Sequence, residues 1–387
     1  MKKCLIAVLA AVLILCACGG CYKNKNEGQS SKVKKETESG VWISYSVINS
    51  ILSDKTSFKN QFEKVINNCL ELDISNIYIH IRPFCDCLFE SKYFPMNAAA
   101  KGYDFDIFEY MITEFHKEGI KVHAWINPYR VSNYSEDINS LPLESPAWLW
   151  LNDENSENDR NVCFADGIYL NPAESEVRQL VINGIREILL NYQVDGIHFD
   201  DYFYPTVSAE FDSSSYEKYK QTAQMPLSLD AWRRANVNAL ISGSYTAIKF
   251  IDKDIIFSIS PAASIDKNYS ELYADVELWV ESGCVDYIIP QLYFGFEYPD
   301  QKYSFTNLLE YWKKLAQKND RVGLMIGLAT YKIKTDLEPD KEEWTKNEDI
   351  IAKQINICKT DNRIGGYVFF SYTSMCENAN LIKQDIN

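Results

Sequence analysis

The sequence predicts an α/β fold, a (β/α)8 TIM barrel with long loops after strands 3 and 4. Eight short runs rich in β-branched and apolar residues recur along the chain, separated by stretches with apolar residues at helical spacing. Strands that alternate with helices form parallel sheets through right-handed crossovers, and eight such units in 387 residues favour a closed barrel. No glycine-rich G-x-G-x-x-G or Walker loop follows the first strand, which argues against a nucleotide-binding sheet.

The predicted strands and helices alternate with two long interruptions. The strands are 41–45, 75–81, 121–126, 194–199, 255–260, 285–291, 321–328 and 364–370, and the helices lie near 58–72, 104–118, 174–190, 232–250, 271–282, 304–318 and 346–358. Residues 128–173 and 201–231, after the third and fourth strands, are far longer than typical βα loops. Both follow carboxyl ends of strands, where barrel enzymes build their sites, so we expect them to wall a cleft.

The first residues, MKKCLIAVLAAVLILCACGGC, predict export from the cytoplasm. Lys2 and Lys3 precede an apolar run that is shorter than the roughly 20 residues of a membrane-spanning helix, and small residues follow it. Residues 15–18, Leu-Cys-Ala-Cys, resemble a bacterial lipobox, so we expect lipidation of Cys18, with Cys21 a poorer match. A cleaved signal without lipid and an uncleaved anchor are the alternatives.

Three segments are therefore expected: a lipoprotein signal peptide at 1–17, a flexible tether at 18–39 and the barrel domain at 40–387. Residues 22–39 contain one aromatic residue among mostly Lys, Glu, Ser and Asn, and such a segment buries too little apolar surface to fold. We expect a membrane-anchored lipoprotein of the cell envelope, exposed outside the cytoplasm. Because the eighth predicted strand ends close to Asn387, we expect no appended binding module.

The composition restricts the partners. The net charge of −15 argues against nucleic acid, since binding to phosphates needs basic surfaces. The chain has 25 Tyr, 19 Phe and 8 Trp, and aromatic rings beside acidic groups suit a neutral carbohydrate, although core packing takes most of the rings. No cofactor is implied.

The cysteines predict buried free thiols rather than disulfides or a metal site. Of eleven cysteines, four lie in or beside the signal, and the seven others contain no C-x-x-C pair. Five of the seven stand in apolar surroundings, where a free thiol packs as a small apolar group.

The segment VDGIHFDDYFYP, residues 194–205, carries the densest ionisable chemistry. Ile197 and Phe199 should face the helices, which turns Gly196, His198 and Asp200 toward the barrel axis. The same alternation points other side chains inward from the second strand (Tyr78, His80, Arg82) and from the third (His123, Trp125, Asn127). Arg82, Asn127 and Asp200 should then converge on one mouth of the barrel.

The three aspartates of this segment have different expected roles. A buried carboxylate near Arg and His can have its pKa moved either way, so one Asp can serve as general acid while another stays ionised. For Asp200 the alternatives are catalysis and a buried ion pair with Arg82. Asp201 either caps the loop or bends into the cleft, and Asp195 is interpreted as a structural turn or cap.

Other strand ends add polar and aromatic side chains. The sixth strand ends in Gln291 and Tyr293, which can hydrogen-bond sugar hydroxyls or a carboxylate, although a tyrosine packed under a loop is an equal alternative. The segment HAWINPYR supplies Trp125, Tyr129 and Arg130 as stacking and clamping groups. Candidates for a second carboxylate are Asp201, Asp86 and Glu297.

Six ordered blocks resemble the glycosyl hydrolase-like 10 family of YngK-type bacterial lipoproteins. They are RPFCDCLFESKYFP, GYDFDIFEYMITEFHKEGIKVHAWINPYRV, VDGIHFDDYFYP, WRRANVNALI, SISPAAS and VDYIIPQLYFG, and the likeness runs from about Gly40 to Tyr372. The resemblance implies a TIM barrel and a glycosidase, and some members are thought to cleave peptidoglycan glycan strands stripped of their peptides. The motif positions it carries over are Arg82, Asp86, His123, Asn127, Arg130, His198, Asp200, Asp201, Arg233, Asn236, Gln291 and Tyr293.

The residue types and the resemblance together give the expected site. Asp200 and Asp201 are expected to be catalytic, and no metal is expected. The expected substrate-binding residues are Arg82, Asp86, His123, Trp125, Asn127, Arg130, His198, Tyr202, Gln291 and Tyr293.

The chain departs from the family pattern at three places that we expect to line the cleft. Phe84-Cys85 stands where the family usually has Asn-Gly, Asn171-Pro172 where it has Asp-Pro, and residues 262–264, Ala-Ala-Ser, where it has Gly-x-Trp. A fainter likeness to chitinases, whose strand reads D-G-x-D-x-D-x-E, puts Tyr202 in place of the acidic Glu. A chitinase mechanism is therefore not expected, while an amino-sugar substrate remains open.

Three functions remain at this point. The first is a glycoside hydrolase acting on a cell-envelope or other polysaccharide, with carboxyl groups about 5 Å apart for retention or roughly 6.5–9.5 Å for inversion. The second is a non-catalytic glycan-binding lipoprotein. The third is a metal-dependent polysaccharide deacetylase that uses His80, His123 or His198 with Asp200, although the metal-binding H-x-H and H-E-x-x-H spacings are missing.

Overall fold

Eight parallel strands close into a barrel, which confirms the predicted fold class. The structure, a computed structural model, describes residues 37–337 and 339–386. The predicted signal peptide, Cys18 and residues 18–36 of the predicted tether lie outside these residues. The strands are β1 (Glu38–Ile43), β2 (Asn76–Arg82), β3 (Lys121–Ile126), β4 (Val162–Phe164), β5 (Ile168–Leu170), β6 (Gly196–Phe199), β7 (Ile256–Ile259), β8 (Tyr287–Ile288), β9 (Gly323–Ala329) and β10 (Gly366–Phe370).

The barrel order is β1, β2, β3, β6, β7, β8, β9, β10 and back to β1, and each pair is parallel. β1 begins at Glu38, so the barrel starts two residues before the expected boundary at 40. The helices are α1 (Tyr45–Leu52), α2 (Phe58–Glu71), α3 (Ile107–Lys117), α4 (Pro146–Asn152), α5 (Ser175–Asn191), α6 (Ser213–Thr222), α7 (Leu229–Ile251), α8 (Ile265–Ser270), α9 (Val276–Ser282), α10 (Phe305–Ala316), α11 (Lys341–Lys346), α12 (Ile350–Thr360), α13 (Tyr372–Glu377) and α14 (Ala379–Ile386).

The strands separate two cores of different chemistry. Outward-facing aliphatic side chains such as Ile77, Ile79 and Ile197 are fully buried against the helices. Six inward-facing residues form a separate interior cluster: Trp42, Tyr78, Trp125, Ile289, Met325 and Val368. Branched aliphatic residues usually fill such a barrel, so an interior built largely from rings provides donors and stacking faces beneath the site.

The two long loops form structured insertions. The first contains α4 and the antiparallel hairpin β4–β5, which lies along the segment after β3 through a hydrogen bond from Val131 N to Ile168 O of 2.8 Å. The second contains α6, and a buried ion pair between Arg233 of α7 and Asp212 attaches it. Arg233 also donates to the Tyr273 hydroxyl at 2.9 Å, so this predicted motif residue fastens the insertion to the barrel.

The remaining sequence expectations concern cysteines and membrane contact. All seven cysteines of the described part are free, and five are buried, as their apolar surroundings predicted. Within residues 37–337 and 339–386, no helix combines the length and apolar character needed to cross a bilayer.

Candidate active site

The carboxyl end of β6 carries two consecutive aspartates at the mouth of the barrel. Asp200 is only 3% exposed, and its carboxylate accepts hydrogen bonds from three groups. Trp125 Nε1 donates to Oδ2 at 2.9 Å, Asn127 Nδ2 lies 3.4 Å from both oxygens, and the Tyr202 backbone nitrogen donates to Oδ1 at 3.2 Å. Since β3 is the neighbour of β6, Trp125 and Asn127 reach Asp200 from the adjacent strand end.

The surroundings of Asp200 favour a carboxyl group that titrates near neutral pH. Burial raises its pKa to about 6, while the positive charge of Arg130 lowers the pKa and the charge of Asp201 raises it further. Because all three neighbouring groups are donors, the ionised form is the one that the site hydrogen-bonds.

Asp201 bends into the cleft rather than away from it. Gln291 follows β8, the sixth strand of the barrel. Its Nε2 donates to Asp201 Oδ1 at 3.0 Å and to the Ser260 carbonyl at 3.0 Å. The Asp201 side chain is partly exposed, and burial raises its pKa above the usual value. Two carboxyl groups with raised pKa therefore stand side by side at the barrel mouth.

The cation beside these carboxyl groups is Arg130. Its guanidinium lies between the Phe84 ring at 4.9 Å and the Tyr202 ring at 4.7 Å, and Arg130 Nε donates to the Pro83 carbonyl at 3.3 Å. Tyr202 remains 53% exposed over this arrangement. Tyr129, the other expected stacking group of the segment, is fully buried instead.

Arg82 does not take the position that strand alternation predicted. The register between β2 and β3 shifts between His80 and Arg82, and such an irregularity reverses the face of the residues that follow. The Arg82 guanidinium lies 4.4 Å from the Phe94 ring and donates to the Asn127 carbonyl at 3.2 Å. It therefore supports the strand end from the helix side. The expectation that Arg82 converges on the barrel mouth is wrong, and the alternative in which it pairs with Asp200 does not hold.

His80 and Trp125 form a stacked pair beneath the carboxyl groups. Their ring centroids are 3.7 Å apart and the planes differ by 7°. Burial lowers the pKa of His80 well below its usual value, and the nearby Arg130 charge lowers it further. His80 is thus a neutral ring that fixes the plane of Trp125, and hence the direction of the hydrogen bond to Asp200.

His198 and His123 lie deeper in the barrel than the expected substrate-binding positions. Trp42 Nε1 donates to His198 Nε2 at 3.0 Å, so the proton of a neutral imidazole is on Nδ1, which lies 2.8 Å from Ser258 Oγ. Burial lowers the pKa of His198 well below its usual value and that of His123 to about 4. These two fully covered histidines belong to the barrel interior.

An aromatic wall faces Asp201 from the other side of the cleft. Tyr293 stacks on Phe370 with centroids 5.6 Å apart and meets Tyr331 edge-on at 5.9 Å. Burial raises the pKa of Tyr293 well above its usual value, with added contributions from Tyr331 and Asp201. Sequence reasoning missed Tyr331 and Phe370, because an aromatic residue at a strand end is indistinguishable from a core residue.

The other candidate carboxyl groups lie apart from this pair. Asp86 Oδ2 accepts from Asn97 Nδ2 at 2.7 Å in the loop after β2, and burial raises its pKa. Asp195, at the opposite end of β6, accepts from the Val122 backbone nitrogen at 2.7 Å and is structural, as interpreted from the sequence. Glu297 is exposed on the loop after β8.

A cavity of about 980 Å³ lies on the outer side of the barrel between α8, α9 and α10. Its lining includes the partly exposed rings of Tyr269, Tyr303 and Tyr311, and none of the expected site residues. The expected catalytic carboxyl groups therefore lie at the barrel mouth and not in this cavity.

Comparison with known proteins decides the family. The model of the family described as Glycosyl hydrolase-like 10 matches residues 38–346. The chain belongs to the glycosyl hydrolase-like 10 family.

Two relatives of this family are similar along most of their length. The chain is 30% identical to Glycosyl hydrolase YngK of Bacillus subtilis over 375 residues, which are 90% of this chain and 70% of that protein. It is also 30% identical to Glycosyl hydrolase DigH of Escherichia coli K12 over 334 residues, covering 79% of this chain and 73% of DigH.

A solved structure supports the fold. The PgaB (BpsB) glycoside hydrolase domain from Bordetella bronchiseptica superposes with a TM-score of 0.62 at 12% identity, over 90% of this chain and 98% of that domain. At this identity the likeness concerns the barrel architecture.

The structure shows where two of the departures from the family pattern lie: Phe84-Cys85 and Asn171. Cys85 has a φ of +60°, the left-handed conformation that favours glycine, the residue that the resemblance implies at this position. Phe84 lies against Arg130 in the cleft. Asn171 does not line the cleft, since it is fully buried and its amide donates to Arg160 O at 2.8 Å and to Ser215 Oγ at 2.9 Å. The expectation that all three departures line the cleft is therefore wrong for Asn171.

Another family motif residue also has a structural position. Asn236 Oδ1 accepts from Arg178 at 3.0 Å, which joins α7 to α5. Together with Arg233, it lies outside the cleft.

Proposed function

We propose that the protein hydrolyses glycosidic bonds of a cell-envelope polysaccharide, with peptidoglycan glycan strands as its substrate. The observation that carries this proposal is the pair Asp200 and Asp201, one buried and one partly exposed carboxyl group, both with raised pKa, at the carboxyl end of a barrel strand. Glycoside hydrolysis requires one carboxyl group that holds a proton and one that is ionised. Membership of a glycosyl hydrolase-like family supports this reaction class.

The hydrogen bonds support a different role for each of the two carboxyl groups. Asp200 is surrounded by donors, so it acts as the ionised carboxylate that stabilises positive charge at the anomeric carbon. Asp201, partly exposed and with a raised pKa, gives its proton to the oxygen of the departing sugar as the glycosidic bond breaks. Water supplies the new oxygen at the anomeric carbon and gives a proton back to Asp201, so two shorter chains result, one with a new reducing end.

The surrounding residues fit a sugar ring in the cleft. Arg130 and the exposed face of Tyr202 stand on one side of Asp201, and Gln291 and Tyr293 stand on the other. Amide, guanidinium and phenol groups can hydrogen-bond hydroxyl groups while the rings pack on the apolar face of the sugar.

A deacetylase reaction has less support from the donor groups. His198 is engaged by Trp42 and Ser258, and His80 is stacked on Trp125. In the part of the chain that the structure describes, no three His, Cys, Asp or Glu side chains are grouped so that they could hold a metal ion.

The deciding experiment incubates purified protein with peptidoglycan strands freed of their peptides and measures new reducing ends. Wild type should generate them, and Asp200→Asn or Asp201→Asn should lower the rate about 100- to 10,000-fold. Asp195→Asn, which changes the carboxyl group at the opposite end of β6, is the matched control and should remain active. Binding of strands without cleavage by any variant would favour the glycan-binding alternative.

We also propose that the protein is a lipoprotein anchored through Cys18, exposed outside the cytoplasm. The lipobox-like residues 15–18 and the polar segment that follows support this location. Fractionation of cells that make wild type or Cys18→Ala tests it, since the variant should leave the membrane fraction. Equal membrane retention of both proteins would contradict lipidation at Cys18.

A further inference from the structure

Tyr134 combines backbone strain with full display of a large ring. Its φ is +59°, in the left-handed region that disfavours an aromatic side chain, and its side chain is 92% exposed. A residue that gains nothing from burial would usually be glycine, asparagine or aspartate in this conformation. Strain held at an exposed aromatic residue points to a role outside folding.

The fold holds Tyr134 at the rim of the cleft. The Tyr134 backbone nitrogen donates to Asp166 O, at the tip of the β4–β5 hairpin, at 2.8 Å. The same hairpin bonds to the segment that carries Arg130, through Leu170 N to Tyr129 O at 2.7 Å. The hairpin therefore links the Tyr134 backbone to the segment that carries Arg130.

Tyr202 lies beside the same hairpin. The Arg130 guanidinium is 4.7 Å from the Tyr202 ring, and the Arg130 backbone pairs with Tyr169 of the hairpin strand β5. Tyr202 is 53% exposed and lies next to Asp201 in the chain. Two exposed phenol rings thus extend from the carboxyl pair toward the first insertion.

We propose that Tyr134 and Tyr202 form a stacking surface for sugar rings beyond the bond that is cut, so that the protein selects a long glycan chain over a short oligosaccharide. Rigid aromatic rings offer apolar area at small entropic cost, and their hydroxyl groups remain available to polar partners. The inference rests on the proposed glycoside hydrolase function and adds that the substrate is a polymer bound along the hairpin side of the cleft.

The test measures binding without turnover. In the Asp200→Asn background, the dissociation constant is measured for long peptide-free peptidoglycan strands and for a tetrasaccharide prepared from them. Adding Tyr134→Ala should raise the dissociation constant for long strands about five- to tenfold and leave that for the tetrasaccharide unchanged. Tyr134→Phe, which keeps the ring, should bind like the parent.

Phe250→Ala is the matched control. Phe250 is 85% exposed near the carboxyl end of α7, and since α7 leads back to the start of β7, this ring lies at the opposite end of the barrel. Its removal should leave both dissociation constants unchanged.

Tyr134→Gly separates strain from recognition. Glycine accepts the left-handed conformation, so this variant should have a higher Tm than Tyr134→Ala but bind long strands equally weakly. Unchanged binding of long strands by Tyr134→Ala, or no binding of any strand by the parent, would overturn the stacking surface. If Tyr134→Ala weakens binding but wild type cuts no strand, the stacking surface stands and the proposed hydrolysis fails.

Discussion

Replacing Asp200 with asparagine should change how the stability of the protein depends on pH. Burial raises the pKa of Asp200 from an ordinary value of 3.8 to about 6, so the folded protein binds this proton more tightly than the unfolded chain. The resulting stabilisation is fully present below the unfolded pKa and is lost as the pH rises through about 6. Asparagine cannot ionise, so the variant does not lose this contribution.

The size of the effect follows from the two pKa values. A carboxyl group with a pKa of 3.8 in the unfolded chain and about 6 in the folded protein contributes about 3 kcal/mol at low pH. Between about pH 5 and about pH 8 the change is about 1.4 kcal/mol. As the pH rises from about 5 to about 8, the free energy of unfolding of wild type should therefore fall by about 1.4 kcal/mol relative to that of Asp200→Asn. Asparagine also makes weaker hydrogen bonds than the carboxylate. That loss is the same at both pH values, so it cancels in the comparison.

Urea unfolding of both proteins at the two pH values measures this double difference. Asp361→Asn serves as the control, because hydrogen bonds from Arg363 and Lys313 hold the pKa of Asp361 below its usual value. Both the folded and the unfolded protein then carry this charge at pH 5 and above, so the cost of Asp361→Asn should be the same at both pH values. Parallel pH dependence of wild type and Asp200→Asn would refute the inference that burial shifts the Asp200 carboxyl group.

Three further predictions concern the start of β6, the second insertion and the cleft. Gly196→Ala should lower the free energy of unfolding by about 1–3 kcal/mol or more in urea, because its Cβ would lie 2.2 Å from His123 Nδ1. Gly365→Ala is the control and should be tolerated, because its Cβ would meet nothing nearer than 3.4 Å. Arg233→Met should cost about 3–5 kcal/mol, because it leaves a buried carboxylate unpaired, and a loss below about 1 kcal/mol would contradict this. Arg130→Gln should move the acidic limb of the kcat/KM profile to higher pH, since the Arg130 charge lowers the pKa of the catalytic carboxyl group. An unmoved limb would contradict this charge effect.

The barrel could be predicted because each strand and helix has a strong local pattern. All eight predicted barrel strands occur, and the alternation of side chains along β6 and β3 brings Asp200, Trp125 and Asn127 together. Alternation is reliable within a regular strand, because successive side chains must point to opposite faces.

The sequence could not predict interruptions of that regularity or the position of loop residues. The register shift before Arg82 removes this side chain from the cleft, and Arg130, from the loop after β3, becomes the cation near Asp200. No local pattern distinguishes a bulged strand end from a straight one. Tyr134 was missed for a similar reason, since its significance lies in a backbone angle and an exposure that only the folded chain has.

The interior of the barrel and the chemistry at its mouth depend on the same packing. Trp125 stacks on the neutral His80 ring and donates to Asp200, so the ring that helps to fill the barrel also orients the carboxylate. The pKa of Asp200 is raised because these rings exclude water, and the Trp125 hydrogen bond partly offsets that rise. An interior of aliphatic side chains would exclude water equally well but would remove the hydrogen bond from Trp125 to Asp200. The aromatic interior is therefore part of the site, because it allows one aspartate to be buried, oriented and ionised at neutral pH.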